Sequence, residues 1–137
     1  MSEAGKEEAT LRLPFDVASV TVARGAVTRA LADRGVDRRV IDDANIVVGE
    51  LVMNAVRHGR PHGDNTVEVS WTLTGDALQF SVCDGGRVDH LEARMPAPTE
   101  HGGRGLGMVD LLCLQWGYDN REGTRVTAAI PTVLTAS

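Results

Sequence analysis

Hydrophobic residues recur at helical spacing through the middle of the chain, between about Asp37 and His58. At roughly 100° per residue these residues gather into one apolar arc. The arc consists of Val40, Ile41, Ala44, Val47, Val48, Leu51, Val52 and Ala55. The pattern predicts a long amphipathic helix that ends at Gly59, because glycine commonly follows helix C-termini.

A shorter helix is predicted before it, with Asp16 as N-cap and an end near Gly35. Its expected buried stripe is Val17, Val20, Val27 and Leu31. Arg24 falls within this stripe, which is an unusual place for a guanidinium. Two interpretations remain open from spacing alone. The side chain either extends along the core edge with its charge in water, or contacts a partner protein on an uncovered face.

Alternation of apolar and polar residues predicts the strands. In chain order, they are 10–15, 67–73, 78–82, 116–120 and 124–130. The first should lie at a sheet edge, since Pro14 cannot donate to a ladder. The second and third should form an antiparallel hairpin around Gly75 and Asp76, and the last two should join around Gly123.

Length and composition indicate one folded domain in 137 residues, with 42% apolar and 24% charged residues. We expect this domain at residues 10–131, between polar tails at 1–9 and 132–137. A net charge of −5 argues against non-specific binding to nucleic acid or membrane surfaces. Cys83 and Cys113 lack metal-ligand spacing, and no signal-peptide pattern is present, which favours a cytoplasmic protein with reduced thiols.

Polar residues at two core boundaries are candidates for chemistry. Glu50 and Asn54 are four apart, so they are neighbours on the long helix. An acid beside an amide could ligate a hard cation or handle a proton, although a solvated helix edge carries such pairs too. Asp84 continues the core-facing positions of strand 78–82, and a buried carboxylate needs a hydrogen-bond partner. Gly85 and Gly86 after it permit close approach of a ligand, but also suit an ordinary turn.

A glycine-rich turn at residues 102–107 precedes an apolar run from Met108 to Leu114. A turn of this kind at a helix start directs backbone N–H groups and the positive end of the helix dipole outward, which favours phosphate. It is neither a Walker loop nor a dinucleotide fingerprint, because it lacks the Gly-Lys-Ser/Thr ending and the βαβ context.

The chain thus carries three signals in order: an acid and an amide on one helix, Asp84 followed by two glycines at a strand end, and a glycine-rich turn before an apolar run. In this order they resemble the GHKL family of ATP-binding domains over about residues 10–131. The motif Glu50–Leu–Val–x–Asn54–Ala–x–x–His58–Gly59 and the run Gly103–Arg104–Gly105–Leu106–Gly107 carry the resemblance. Within that family the short chain looks most like the bacterial anti-sigma-factor serine kinases. The implied fold is an α/β two-layer sandwich, with helices on one face of a mixed, largely antiparallel sheet.

The resemblance also implies residue roles. Asn54 would bind the Mg²⁺ that bridges the ATP phosphates, and Glu50 would activate a serine hydroxyl. Asp84 would accept a hydrogen bond from the adenine amino group, and Gly86 would let the nucleotide approach. The remaining implied nucleotide-binding residues are His58, Gly103, Arg104, Gly105, Leu106, Gly107 and Thr124.

The implied function is an ATP-dependent serine/threonine kinase that sequesters a sigma factor and phosphorylates an anti-anti-sigma protein. Arg24 matches a partner-contacting arginine, and the resemblance is compatible with a homodimer. The alternatives are a nucleotide-gated interaction module without phosphoryl transfer and, more weakly, a detached histidine-kinase catalytic domain. The sequence departs from the family at Val88, where a glycine is usual, and in the short segment between the two glycine boxes.

Overall fold

The computed structural model describes residues 6–86, 115–119 and 123–132. In this part of the chain, two helices and five strands follow one another. They are β1 (Glu7–Pro14), α1 (Ala18–Asp33), α2 (Arg38–His58), β2 (Thr66–Leu73), β3 (Ala77–Asp84), β4 (Gln115–Asp119) and β5 (Thr124–Pro131). Strand β1 begins at Glu7, so residues 7–9 belong to the sheet and not to the predicted tail.

The described strands form one sheet in the order β1-β2-β3-β5-β4, and each of its pairings is antiparallel. Strand β1 lies at one edge, as Pro14 predicted. Both helices contribute to a single core with the inward face of the sheet. The predicted two-layer α/β fold is confirmed.

Helix α2 matches its prediction closely. The side chain of Asp37 accepts a hydrogen bond from the backbone N–H of Arg39 at 2.8 Å, and Gly59 is the C-cap. All residues of the predicted apolar arc are buried. The helix therefore presents one continuous apolar face to the sheet and leaves its polar edge beside that face.

Helix α1 differs from its prediction at the start. The predicted N-cap was Asp16, but the N-cap is Val17, whose side chain makes no capping hydrogen bond. Asp16 instead accepts from the backbone N–H of Ala18 at 2.7 Å, so it still satisfies a free helix donor. Gly35 follows the helix end with a positive φ of 73°. The prediction that Val17 is buried is wrong, because it precedes the first helical residue and is 53% exposed.

The hairpin of β2 and β3 places the candidate carboxylate. The last β2–β3 pair is Glu68 with Cys83, and β3 continues to Asp84 beyond it. Alternation along β3 directs Phe80, Val82 and Asp84 to the helix side of the sheet. The polar end of this otherwise apolar strand face therefore meets the end of helix α2.

Candidate functional site

Asp84 is a buried carboxylate, 2% exposed, at the end of β3. Its Oδ1 accepts a hydrogen bond from the backbone N–H of Gly86 at 2.6 Å. Its Oδ2 lies at the C-terminal end of helix α2, beside Gly59. A helix C-terminus carries partial negative charge and favours cations, which the basic Arg57 and His58 of the last turn supply. The Asp84 carboxylate and the negative end of the helix dipole therefore lie side by side, a position that favours positive charge and hydrogen-bond donors.

Gly59 permits this arrangement by having no side chain. A Cβ atom at residue 59 would lie 2.1 Å from Oδ2 of Asp84 and 2.5 Å from the carbonyl oxygen of Ala55. That carbonyl also accepts the backbone N–H of Gly59 at 2.7 Å. The helix end and the carboxylate are therefore packed directly against each other.

Strand β5 closes the other side of Asp84. Thr124 is its partner in the β3–β5 register and is 2% exposed. The Thr124 hydroxyl donates to the carbonyl of Gly86 at 3.2 Å. Gly123 has a φ of +109°, and a Cβ there would lie 2.1 Å from the Asp84 carbonyl oxygen. The structure thus brings Thr124 next to Asp84 and Gly86, from which it is distant in sequence.

Glu50 and Asn54 are half-buried on α2. Asn54 lies about one turn before the helix end at which Asp84 packs, and Glu50 lies about one turn further back. His58 is exposed as the last residue of the helix. One helix therefore presents the predicted proton-handling, cation-binding and nucleotide-binding residues in series, leading to the buried carboxylate.

Arg24 lies away from Asp84, between the two helices. Its Nε donates to the backbone carbonyl of Asn45 at 3.2 Å, and its guanidinium lies over Gly49. The residue is nevertheless exposed. Its side chain therefore crosses from α1 to α2 and places an accessible cation next to the residue that precedes Glu50.

Several predicted residues lie outside the described residues. They are Gly103, Arg104, Gly105, Leu106, Gly107, Val88 and Cys113. Within the described part of the chain, Cys83 is a buried thiol that belongs to no disulfide.

Sequence reasoning assigned no role to the loop between α2 and β2. The ring Nε2 of His62 lies 2.9 Å from the Cys83 carbonyl oxygen, and the backbone N–H of Gly85 donates to the Arg60 carbonyl at 2.8 Å. The available signal was a histidine between breakers, directly after the Asn54 motif, but a histidine alone does not indicate which backbone group it contacts.

Comparison with known proteins identifies the family. Residues 13–130 match the histidine kinase-like ATPase domain. The chain belongs to this family. The match includes both helices, the last two residues of β1, the strands β2 to β4, β5 as far as Ile130, and the residues around Asp84.

Among its relatives are serine-protein kinases RsbW from Listeria monocytogenes and Listeria innocua, both 28% identical over 89 residues. These matches cover 64% of this chain and 57% of each Listeria protein, so the chain matches little more than half of their length. A crystal structure of the RsbU and RsbW domains of a Mycobacterium tuberculosis protein aligns with a TM-score of 0.67 at 23% identity. The alignment covers 96% of this chain and 33% of the Mycobacterium tuberculosis chain, and it supports the fold.

Neither described helix is long and apolar enough to cross a membrane.

Proposed function

We propose that this protein binds Mg²⁺-ATP and transfers the γ-phosphoryl group to a serine or threonine of a partner protein. The observation that carries the proposal is the buried Asp84 carboxylate, enclosed by Gly59, Gly86 and Thr124 at the end of α2. Membership of the ATPase-domain family and the similarity to serine-protein kinases support it.

The fit of the adenine ring depends on Asp84. A carboxylate offers about four acceptor positions, so it can accept from Gly86 and also from an exocyclic amino group. The base lies beside Gly86, whose missing side chain leaves room for it, and the Thr124 hydroxyl fixes the Gly86 carbonyl. An adenine amino group can donate to this carboxylate, whereas guanine carries a carbonyl oxygen at the corresponding position, so the proposed site selects adenine over guanine.

The phosphate end of the site lies further back along α2. The Asn54 side-chain oxygen is a suitable hard ligand for Mg²⁺, which when bound neutralises charge on the phosphates. Glu50 accepts the proton of the attacking hydroxyl. The hydroxyl oxygen forms a bond to the γ-phosphorus while the bond to the β-γ bridging oxygen breaks, and ADP leaves.

The partners in this proposal are a sigma factor, which the protein sequesters, and an anti-anti-sigma protein, which it phosphorylates. Arg24 contributes to the partner surface, since it is exposed and lies beside the residue preceding Glu50. A homodimer and a cytoplasmic location belong to the same proposal. The second candidate, a nucleotide-gated interaction module, shares the ATP site but lacks transfer to a partner.

Calorimetry with ATP and GTP, with and without Mg²⁺, tests the binding step. Asp84→Asn should weaken ATP binding by about tenfold or more, because a hydrogen bond to a charged group contributes roughly 1.5–3 kcal/mol. Asn54→Ala should reduce the Mg²⁺ dependence, and the exposed Asp76→Asn serves as the control. Equal ATP affinity of the wild type and Asp84→Asn would refute the adenine assignment. Labelled ATP with candidate partners then separates a kinase from a binding module.

A further inference from the structure

The loop after helix α2 has a defined internal structure. The backbone N–H of His62 donates to the Thr66 carbonyl at 2.9 Å, and that of Asn65 donates to the His62 carbonyl at 2.8 Å. Asn65 takes a positive φ of 63°, which asparagine tolerates better than most residues. The hydrogen bonds of this turn therefore fix the position of His62 relative to the start of β2.

This loop continues the hydrogen bonding of β3 beyond the point where the pairing with β2 stops. Strand β3 pairs with β2 as far as Glu68 and Cys83. Beyond that pair, the backbone N–H of Gly85 donates to the Arg60 carbonyl at 2.8 Å. The His62 Nε2 lies 2.9 Å from the Cys83 carbonyl oxygen, and a carbonyl only accepts, so Nε2 is the donor. Loop residues 60–62 thus take the place of a strand beside the end of β3.

The packing between the loop and β3 leaves no room for a side chain at residue 85. A Cβ on Gly85 would lie 2.5 Å from the Pro61 carbonyl oxygen and 2.7 Å from the Cα of His62. Both are backbone atoms, which cannot move aside as a flexible side chain could. The two segments are therefore held together by close contact as well as by hydrogen bonds.

We propose that His62 is a positioning residue that fixes the Asp84 carboxylate for nucleotide binding. Asp84 lies between the two backbone groups that the loop holds, the Cys83 carbonyl in β3 and the Gly85 N–H just after it. Its carboxylate accepts from the next N–H along, that of Gly86, at 2.6 Å. Without the imidazole hydrogen bond, the Cys83 carbonyl is no longer held by the loop, so that the Asp84 carboxylate samples other orientations. The effect of His62 on nucleotide binding rests on the proposed function.

Amide exchange in the nucleotide-free protein tests the positioning directly. His62→Leu removes the donor at similar size, and His62→Gln restores an amide donor. The amide protons of Gly85 and Gly86 should exchange at least about threefold faster in His62→Leu and near the wild-type rate in His62→Gln. Gln79→Ala, an exposed change on the same strand, should leave both rates unchanged. Unchanged Gly86 exchange in His62→Leu, with the fold intact by thermal unfolding, would overturn the proposal.

A double-mutant cycle then tests the connection to the nucleotide. His62→Leu should raise the ATP dissociation constant about three- to tenfold, in keeping with one lost hydrogen bond. The same change on an Asp84→Asn background should have little further effect, since coupled residues are not additive. Full additivity would show that His62 does not act through Asp84. If the wild type bound no ATP while Gly86 exchange still responded to His62→Leu, the positioning would stand and the proposed function would fail.

Discussion

A side chain on Gly59 and the carboxylate of Asp84 cannot occupy the structure together, because a Cβ on residue 59 would lie 2.1 Å from Oδ2 of Asp84. The backbone of Gly59 does not require glycine, since its φ of −91° is available to any residue. The requirement is therefore one of space alone. It makes the last residue of the Asn54 motif a direct neighbour of the proposed adenine-binding group.

Gly59→Ala should therefore weaken ATP binding about as much as Asp84→Asn does, by tenfold or more, because the carboxylate or the helix end must shift. Calorimetry with ATP measures the loss, and thermal unfolding shows whether the fold survives. Gly63→Ala is the matched control in the same loop, since a Cβ there meets nothing within 4 Å. Unchanged ATP affinity in Gly59→Ala would show that the carboxylate position does not govern binding.

The helices and the hairpin could be predicted from sequence because each depends on local periodicity. Helix α2 follows its predicted apolar arc, and Asp84 is buried because the alternation along β3 places it on the core face. The prediction that Val17 is buried was wrong because periodicity does not indicate at which residue the first helical turn begins. The Asp16 side chain satisfies a helix donor from the residue before the N-cap, Val17.

The contacts around Asp84 could not be predicted in the same way. They join residues distant in sequence, such as Gly59, Gly86 and Thr124, and depend on which strand lies beside which. The family resemblance supplied roles for several of these residues, but it did not indicate that residue 59 must be glycine because the Asp84 carboxylate lies beside it. The contact of His62 with the Cys83 carbonyl could not be predicted either, because a histidine between helix breakers does not indicate which backbone group it contacts.

Gly49→Ala should displace the Arg24 guanidinium without destabilising the protein. A Cβ at residue 49 would lie 2.5 Å from Nη2 of Arg24, which is the movable end of a flexible side chain. Alanine also favours a helix interior over glycine by about 1 kcal/mol. We expect equal or higher thermal stability, loss of the protected Arg24 Nε–H signal in nuclear magnetic resonance spectra, and weaker capture of a candidate sigma factor.

Two variants separate these effects. Gly25→Ala, an exposed helix position where a Cβ meets nothing within 4 Å, should stabilise α1 by a similar amount and leave the Arg24 signal in place. Arg24→Glu should abolish capture of the sigma factor while ATP binding persists, since charge reversal adds repulsion to the loss of a contact. Wild-type capture by Arg24→Glu would remove Arg24 from the partner surface.

Asp64 should make the stability of the folded protein fall at acidic pH. A hydrogen bond from the Thr66 hydroxyl and, next, one from Arg12 lower the pKa of Asp64 from 3.8 to about 2. A carboxyl whose pKa is lower in the folded state stabilises the fold above its unfolded pKa. That stabilisation is lost as the pH falls from about 4 through about 2. The stability difference between the wild type and Asp64→Asn should therefore shrink across this range.

A carboxyl titration followed by nuclear magnetic resonance measures the Asp64 pKa itself. Thr66→Val and Arg12→Gln should each raise it, because the Thr66 hydroxyl makes the largest single contribution and Arg12 acts through both a hydrogen bond and its charge. The pair between Arg12 and Asp64 is exposed on both sides, so added salt should diminish the arginine's share. An Asp64 pKa near 3.8 in the wild type would contradict the described contacts.

Glu50→Gln should separate nucleotide binding from phosphoryl transfer. The change keeps the shape of the side chain and removes the acceptor for the hydroxyl proton. A general base typically contributes roughly 10²–10⁴-fold to a rate, so transfer to a protein serine should fall by about that factor while ATP affinity stays nearly constant. Much of the remaining rate in such reactions comes from positioning and charge neutralisation, which Glu50→Gln leaves in place.

A single-turnover assay at saturating ATP, with a candidate anti-anti-sigma protein as acceptor, makes this measurement. Asp42→Asn is the matched control, because it removes an exposed carboxylate from the same helix and breaks only its ion pair with Arg38. Equal rates for the wild type and Glu50→Gln would exclude Glu50 as the base. Tight ATP binding by the wild type without transfer to any acceptor would instead favour the nucleotide-gated interaction module, since that function needs Asp84 and Asn54 but makes no use of a base at residue 50.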